Sequence, residues 1–248
     1  MKLCLLFVAL LGVALAENWA VLVAGSEGYH NYRHQANMCG AHQIVKNKGI
    51  KPENIITMVY DDVAYSEENP HKGMLFNEPN GPDVHEGCEI DYKGKDVNKD
   101  NFFAVLKGDS EATGGKKVLK STSEDKVFVY YNDHGNTGII AMPGHQTVYA
   151  DELLETLQYM HKNNMYSELL WYTSACYSGS LWKDQLPEDI GVFATTSANY
   201  KQSSYGRWCG PPDDVIRGVS LGACLSDEYT SNWMKDTKTS PSSRTIIE

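Results

Sequence analysis

The fold is decided at residues 169–179, LLWYTSACYSG, where an apolar run passes into a turn that contains serine and glycine. An apolar run of this length bounded by turn residues is typical of a buried strand. Cys176 therefore follows the carboxyl end of a predicted strand. In an open α/β sheet, ligands and reacting groups gather at that edge, so Cys176 is a candidate nucleophile.

A second apolar run ends in a histidine. Residues 127–135 read VFVYYNDHG, which places His134 just beyond another predicted strand. A cysteine thiol is mostly protonated at neutral pH, and an adjacent imidazole both takes its proton and stabilises the thiolate. His134 is thus a candidate partner for Cys176. The alternative is that the two are unrelated, with Cys176 buried as a small hydrophobe and His134 in a solvated turn.

Apolar runs alternate with helical patterns along the chain. Strands are predicted at residues 19–24, 55–60, 127–131, 169–173 and 192–195, and helices at residues 35–47 and 151–161. This alternation implies crossover connections and a mainly parallel sheet with helices on both faces. The sequence therefore predicts a layered α/β domain. Residues 65–98, dense in proline, glycine and acidic side chains, are predicted as a surface excursion that either flanks the substrate or has no role.

Composition and charge narrow the function. The chain has 248 residues and a net charge of −10. Residues 1–16 carry one lysine, an apolar core and a small-x-small end, which predicts a secretory signal peptide; losing Lys2 with it would make the net charge −11. This acidity argues against nucleic acid or an anionic membrane as partner. No later apolar run approaches the roughly 20 residues of a membrane span, and residues 17–248 suit one domain.

Cysteine usage fits an oxidising compartment. The cysteines after the predicted leader are Cys39, Cys88, Cys176, Cys209 and Cys224. An odd number leaves one thiol free, and Cys176 is the natural candidate, while the pairing of the other four cannot be read from their spacing. Cys39 and His42 could form half of a metal site, but no second half with zinc spacing follows. We therefore predict no metal, and no motif indicates a cofactor.

Several motifs together identify a family resemblance. From about Trp19 to Met234 the chain resembles the legumains, also called asparaginyl endopeptidases or vacuolar processing enzymes, which are cysteine peptidases with a caspase-like fold. The resemblance lies in residues 23–26 (VAGS), 29–36 (YHNYRHQA), 60–66 (YDDVAYS), 133–135 (DHG), 175–180 (ACYSGS), 194–196 (ATT) and 232–234 (NWM). It implies a three-layer α/β/α domain with a mainly parallel six-stranded sheet.

The resemblance also implies catalytic roles. Carried over by position, it makes Cys176 the nucleophile and His134 the general base, with Asn31 as the polar group that orients the histidine. The backbone amides of Gly135 and Cys176 are implied as the oxyanion donors. Asp133 occupies the position of a family aspartate that can cyclise to a succinimide.

A specificity pocket is implied as well. In legumains a zwitterionic cleft offers donors and acceptors to an asparagine amide, and the matching residues are Arg33, His34, Ser203, Ser204 and Asp227. Arg33 can donate to the amide oxygen and Asp227 can accept from its nitrogen. The alternative is that Arg33 and Asp227 form an ordinary surface ion pair.

One pocket position departs from the family pattern. Two residues before the cysteine, where the pattern has a glutamate, this chain has Ser174. The change removes an acceptor and a negative charge from the pocket. We therefore expect weaker discrimination between asparagine and other residues, or a shift toward aspartate.

Together these features predict a cysteine endopeptidase that cuts after asparagine, with aspartate as a second candidate. The alternatives are a transpeptidase, ligase or transamidase that uses the same site, and a catalytically silent binding or decoy relative. Expected partners are protein or peptide substrates and, by family resemblance, cystatin-type inhibitors. The leader predicts the secretory pathway, ending in a lysosome or vacuole or outside the cell. Compared with the family, residues 17–248 are expected to lack the last catalytic-domain helix and the C-terminal propeptide.

Overall fold

The computed structural model describes residues 16–240 and divides them among twelve strands and four helices. The strands are β1 (Asn18–Ala24), β2 (Ile55–Met58), β3 (Lys126–Asn132), β4 (Gly135–Asn136), β5 (Ile139–Met142), β6 (Gln146–Tyr149), β7 (Glu168–Ser174), β8 (Val192–Thr196), β9 (Gly206–Arg207), β10 (Val215–Ile216), β11 (Val219–Ser220) and β12 (Ser226–Asp227). The helices are α1 (Tyr32–Asn47), α2 (Lys99–Lys107), α3 (Ala150–Lys162) and α4 (Glu228–Thr239).

The central sheet is parallel throughout. Its strand order is β2-β1-β3-β7-β8, so all five predicted strands are present and they form one sheet. The described residues give this sheet five strands rather than the six that the family resemblance implied. Beyond β2, Tyr92 makes only a single parallel bridge to Met58, so the segment around it does not extend the sheet by a full strand.

Helices cover both faces of the sheet, as the three-layer prediction required. Along β1, Val21 and Val23 belong to one apolar cluster with residues of α2 and α3, whereas Ala20 and Leu22 belong to another with residues of α1 and α4. Successive side chains of a strand point to opposite faces. The alternation within one continuously apolar strand therefore builds both cores.

Two helices were not predicted. Helix α2 begins after Asn98, whose side chain accepts a hydrogen bond from the Asn101 amide, and ends at Gly108 with φ 71°. This is the usual pairing of an asparagine N-cap with a left-handed glycine at the other end. Helix α4 begins after Asp227, which caps it in the same way.

Within residues 16–240, two disulfides join Cys39 to Cys88 and Cys209 to Cys224, and the remaining cysteine there, Cys176, is a free thiol, as predicted. The first disulfide ties the 65–98 region to α1. That region is mainly irregular, as expected, but Leu75 and Phe76 are buried in the α1 core. It is thus packed against the domain rather than simply exposed.

Within residues 16–240 no helix combines the length and the apolar character that crossing a bilayer requires. The predicted leader, apart from its last residue, lies outside the described residues. So does the apolar end of the chain at residues 245–247.

Candidate active site

The two candidate catalytic residues lie beyond neighbouring strands. Asn132, the last residue of β3, is paired with Ser174, the last residue of β7, and the Asp133 amide donates to the Ser174 carbonyl at 3.0 Å. His134 and Cys176 therefore leave the sheet side by side. A side chain on Gly135 would approach the Cys176 carbonyl oxygen to 2.8 Å, so only glycine permits this contact between the two loops.

The Cys176 thiol is half-buried against the segment that precedes β9. Its Sγ lies 3.4 Å from the Ser204 amide nitrogen and 3.7 Å from the Ser204 carbonyl oxygen. The next residue, Tyr177, has φ 57°, and its amide donates to Gln202 at 2.8 Å. A left-handed residue directly after the cysteine marks a sharp turn. The turn presents the sulfur at the sheet edge, where the Ser204 N–H can stabilise a thiolate.

His134 is held through one ring nitrogen. Its Nε2 lies 2.8 Å from Asn31 Oδ1, while Asn31 Nδ2 donates to the Glu27 carbonyl at 2.9 Å and lies 3.0 Å from His30 Nε2. Since the Asn31 amide nitrogen faces an acceptor, its oxygen faces His134 and accepts from Nε2–H. The proton-accepting nitrogen is then Nδ1. The family resemblance predicts that Asn31 orients the histidine, and the two side chains are in contact here.

Partial desolvation of the imidazole lowers the pKa of His134 below its usual value, although the residue keeps an exposed edge and the Asp133 carboxylate opposes the shift. An imidazole with a lowered pKa is mostly neutral at pH 7. The neutral ring is the form that can take a proton from a thiol.

Asp62 stabilises the segment that carries Asn31 by accepting two hydrogen bonds. Its two carboxylate oxygens accept from the Gly28 amide at 2.7 Å and from Gln35 Nε2 at 2.6 Å. Gly28, with φ 87°, opens the single turn that carries Asn31. We did not predict Asp62 as a site residue, although it lies in the YDD motif that carries part of the family resemblance.

Gly135, which lies against the Cys176 backbone, has an N–H that the neighbouring strand does not use. It lies opposite Ile140 in the β4–β5 ladder, and the Ala141 amide donates to the His134 carbonyl at 3.1 Å. This pattern marks a position whose own N–H points away from the neighbouring strand. The Gly135 N–H is therefore left free of the ladder.

Asp133 is buried beside two imidazoles. Its Oδ1 lies 3.2 Å from His34 Nδ1, but the contact lacks hydrogen-bond geometry, and Oδ1 accepts no hydrogen bond from the described residues. Ser26 Oγ lies 2.8 Å from the same His34 nitrogen. Burial raises the pKa of Asp133 to about 7, against the opposing effects of the His134 amide and ring, and burial holds the pKa of His34 well below its usual range.

Arg33, predicted for the specificity pocket, is a cation with no bonded partner among residues 16–240. Arg33, in the first turn of α1, is half-buried and makes no hydrogen bond or ion pair with any described residue, although the charges of Asp227, Asp133 and Cys176 all act on it. The alternative of a simple Arg33–Asp227 ion pair is therefore wrong. A guanidinium without a protein partner is available to a ligand.

Asp227 already has several protein partners. Its Oδ2 accepts from Asn37, Asn132 and the Thr230 hydroxyl at 2.8–2.9 Å, and its Oδ1 accepts from the Thr230 amide at 2.7 Å. Each carboxylate oxygen has about two lone pairs. Three donors share those of Oδ2, whereas Oδ1 accepts one hydrogen bond and keeps one lone pair. Asp227 thus caps α4 and is held in place by α1 and β3. Neither Asn37 nor Thr230 could be recognised from the sequence as its partner.

The serines lie at different depths. Ser174 is buried, Ser204 is half-buried against Cys176, and Ser203 is exposed. The Ser174 hydroxyl makes no hydrogen bond to any residue between 16 and 240. A cavity of about 440 Å³ adjoins His134 and Asp133, and its lining includes Glu27, His30, Asn31, Pro143 and His145.

The fold belongs to the caspase-like class. A crystal structure of caspase-1 from Spodoptera frugiperda matches with a TM-score of 0.52 over 94% of this chain and 73% of that one, at 10% sequence identity. An identity this low indicates similarity of fold alone.

Within that class the chain belongs to the Peptidase C13 family, whose model matches residues 18–248. It is 49% identical to a hemoglobinase of Schistosoma mansoni over 90% of this chain and 50% of that protein, and 48% identical to human legumain over 89% and 49%. It is 44% identical to the vacuolar-processing enzyme beta-isozyme of Arabidopsis thaliana over 91% and 46%. The chain spans about half the length of these relatives.

Proposed function

We propose that this protein is a cysteine endopeptidase that hydrolyses peptide bonds after asparagine, and less readily after aspartate. The observation that carries the proposal is the geometry at the sheet edge: a free thiol at the end of β7, beside a histidine whose Nε2 is fixed 2.8 Å from Asn31. Membership of the Peptidase C13 family supports the same chemistry.

The proposed mechanism uses these two groups and the backbone amides beside them. His134 Nδ1 takes the proton of Cys176, and the thiolate attacks the peptide carbonyl while the Gly135 and Cys176 amides stabilise the oxyanion. His134 then returns the proton to the leaving amine, which leaves an acyl-enzyme. Water hydrolyses that thioester, with the same histidine acting as base, and the Cys176 thiol is released.

Substrate choice is assigned to the pocket around Arg33. Its free guanidinium would donate to the side-chain oxygen of asparagine, and the remaining lone pair of Asp227 would accept from the side-chain nitrogen. Apolar residues would leave these buried groups unpaired, and such sites reject them strongly. Asp133 remains a candidate for succinimide formation.

The proposed substrates are proteins and peptides that enter from solvent. We further propose delivery through the secretory pathway to an acidic compartment or the exterior, on the strength of the predicted leader and two disulfides, which form in oxidising compartments. Inhibition by cystatin-type proteins is part of the same proposal.

The decisive experiment measures cleavage of peptides that differ only in the residue before the scissile bond. The parent protein is expected to cleave the asparagine peptide fastest at some pH between about 4 and 8, the range in which histidine titrates, and Cys176→Ala is expected to cleave none. A parent that is inert across this range would refute the proposal. If an added amine yields joined peptides by mass spectrometry, the same acyl-enzyme also supports transamidation.

Ser174→Glu is expected to sharpen the preference for asparagine over aspartate roughly tenfold, because a charge-assisted hydrogen bond contributes about 1.5–3 kcal/mol. The new carboxylate would accept from the asparagine nitrogen and repel an aspartate. The measurement is the ratio of kcat/KM for the two peptides. Ser167→Glu adds the same charge at the opposite end of β7 and should leave the ratio unchanged. An unchanged ratio in Ser174→Glu itself would show that this position does not select the substrate.

A further inference from the structure

We propose that a zinc ion binds between His34, Asp133 and His134 and switches off the neighbouring thiol site. The inhibition rests on the proposed peptidase function, whereas the binding does not. This site departs from our prediction of no metal, because positions 34, 133 and 134 do not form a metal-binding motif in the sequence.

The three side chains have the spacing of a metal site. One ring nitrogen of each histidine and one oxygen of Asp133 lie within 4.8 Å of one another. The closest pair, His34 Nδ1 and Asp133 Oδ1, is 3.2 Å apart. Two ligands at tetrahedral angles on a zinc ion, with bonds of about 2.0–2.1 Å, are separated by about 3.3 Å. This pair therefore already has the separation that a shared zinc ion requires.

An unpartnered acceptor points into the cluster. The Asp133 side chain is only 2% exposed, and its Oδ1 accepts no hydrogen bond from the residues that the structure describes. Buried polar groups are nearly always satisfied, and an unsatisfied one needs an explanation. A cation placed between this oxygen and the two imidazoles would satisfy it.

The surroundings favour zinc in particular. Two imidazoles and one carboxylate form a ligand set typical of zinc, whereas magnesium and calcium prefer oxygen ligands alone. His134 Nε2 is bonded to Asn31 Oδ1, which leaves Nδ1 free for the metal, and zinc-binding histidines are commonly held through their other nitrogen in this way. His134 is exposed, so the ion can enter from solvent.

Two contacts work against the ion. Ser26 Oγ lies 2.8 Å from His34 Nδ1 and would have to rotate away. The positive charge of Arg33 acts on both Asp133 and His134 and would repel zinc. These costs favour a reversible ion over a permanent one. Bound zinc would occupy the His134 lone pair that otherwise takes the thiol proton, so the thiolate would not form by that route.

Binding is best measured in Cys176→Ala, because this variant neither cleaves itself nor offers a thiolate to the metal. Isothermal titration with zinc chloride is expected to give one ion per chain, and cobalt should give the absorption of a tetrahedral site. Asp133→Asn and His134→Ala, each added to Cys176→Ala, should weaken binding at least tenfold. His161→Ala, an exposed histidine on α3, should not. In the parent, zinc should inhibit cleavage of the asparagine peptide and a chelator should restore it.

The site is refuted if binding survives both Asp133→Asn and His134→Ala, or if Cys176→Ala abolishes it, which would place the ion on the thiol. If Asp133→Asn does not fold, His134→Ala provides a second test, because His134 is exposed and its replacement should not disturb the core. A parent that binds zinc at this cluster but cleaves no peptide would refute the peptidase function and keep the site. A parent that cleaves peptides without binding zinc would refute the zinc site and keep the peptidase function.

Discussion

Replacing Arg33 with methionine is expected to lower kcat/KM for the asparagine peptide by roughly 10²–10³. Removing a charged donor from a buried polar contact costs about 3–4 kcal/mol when the substrate group it served is left unpaired. Arg33 is half-buried and makes no hydrogen bond or ion pair with the described residues. Its loss should therefore affect the substrate far more than the fold, and methionine preserves most of the side-chain volume.

The Arg33→Met prediction has a matched control. Arg217 lies in an exposed hairpin turn between β10 and β11, where it packs on Phe76, and Arg217→Met should leave kcat/KM within about twofold, as distant surface changes usually do. Because Arg33 is assigned to substrate binding, the alkylation rate of Cys176 in Arg33→Met should fall far less than kcat/KM, through loss of the nearby positive charge alone, and it should be unchanged in Arg217→Met. An equal loss on peptides that lack asparagine would contradict that assignment.

The strands could be predicted because each is a nearly continuous apolar run, and a parallel sheet buried on both faces requires such runs. Helix α1 was predicted from residue 35, three residues too late. Its first turn contains Arg33 and His34, which point into the site and interrupt the apolar pattern. Helix α4 was missed because only Trp233 and Met234 of its sequence, EYTSNWMKDTKT, belong to the apolar core, and its other buried residue, Thr230, is polar. In both helices, polar residues placed for the site or the surface obscured the helical period.

The site was predictable only in part. His134 and Cys176 follow recognisable strands, so physical reasoning alone placed them at one edge. Their supporting contacts join residues far apart in sequence: Asn31 lies 103 positions from His134, and Asn37 lies 190 positions from Asp227. Such pairs exist only after the chain has folded. The family resemblance identified Asn31 and Asp227 as candidate site residues. It did not reveal that most of the hydrogen-bonding capacity of Asp227 is used within the protein, in part by capping α4.

Asn31→Ala is expected to lower kcat for the asparagine peptide by roughly 10²-fold, because correct placement of a general base contributes about 10²–10⁴-fold. The Asn31 oxygen holds His134 Nε2 at 2.8 Å and thereby selects the tautomer with a free Nδ1. Without it the ring can rotate and exchange tautomers. KM should change little, since Asn31 is not assigned to the substrate pocket.

A second variant separates orientation of the ring from simple structural support. Asn31→Asp keeps an acceptor at the same place but adds a negative charge, which should raise the pKa of His134. A base with a raised pKa stays protonated to higher pH, so the acidic limb of the kcat/KM profile should shift to higher pH. At its plateau, kcat should be largely recovered relative to Asn31→Ala. Asn163→Ala, at the exposed end of α3, should change neither quantity. If Asn31→Ala and Asn31→Asp lose equal activity with no movement of the acidic limb, Asn31 supports the loop without orienting the histidine.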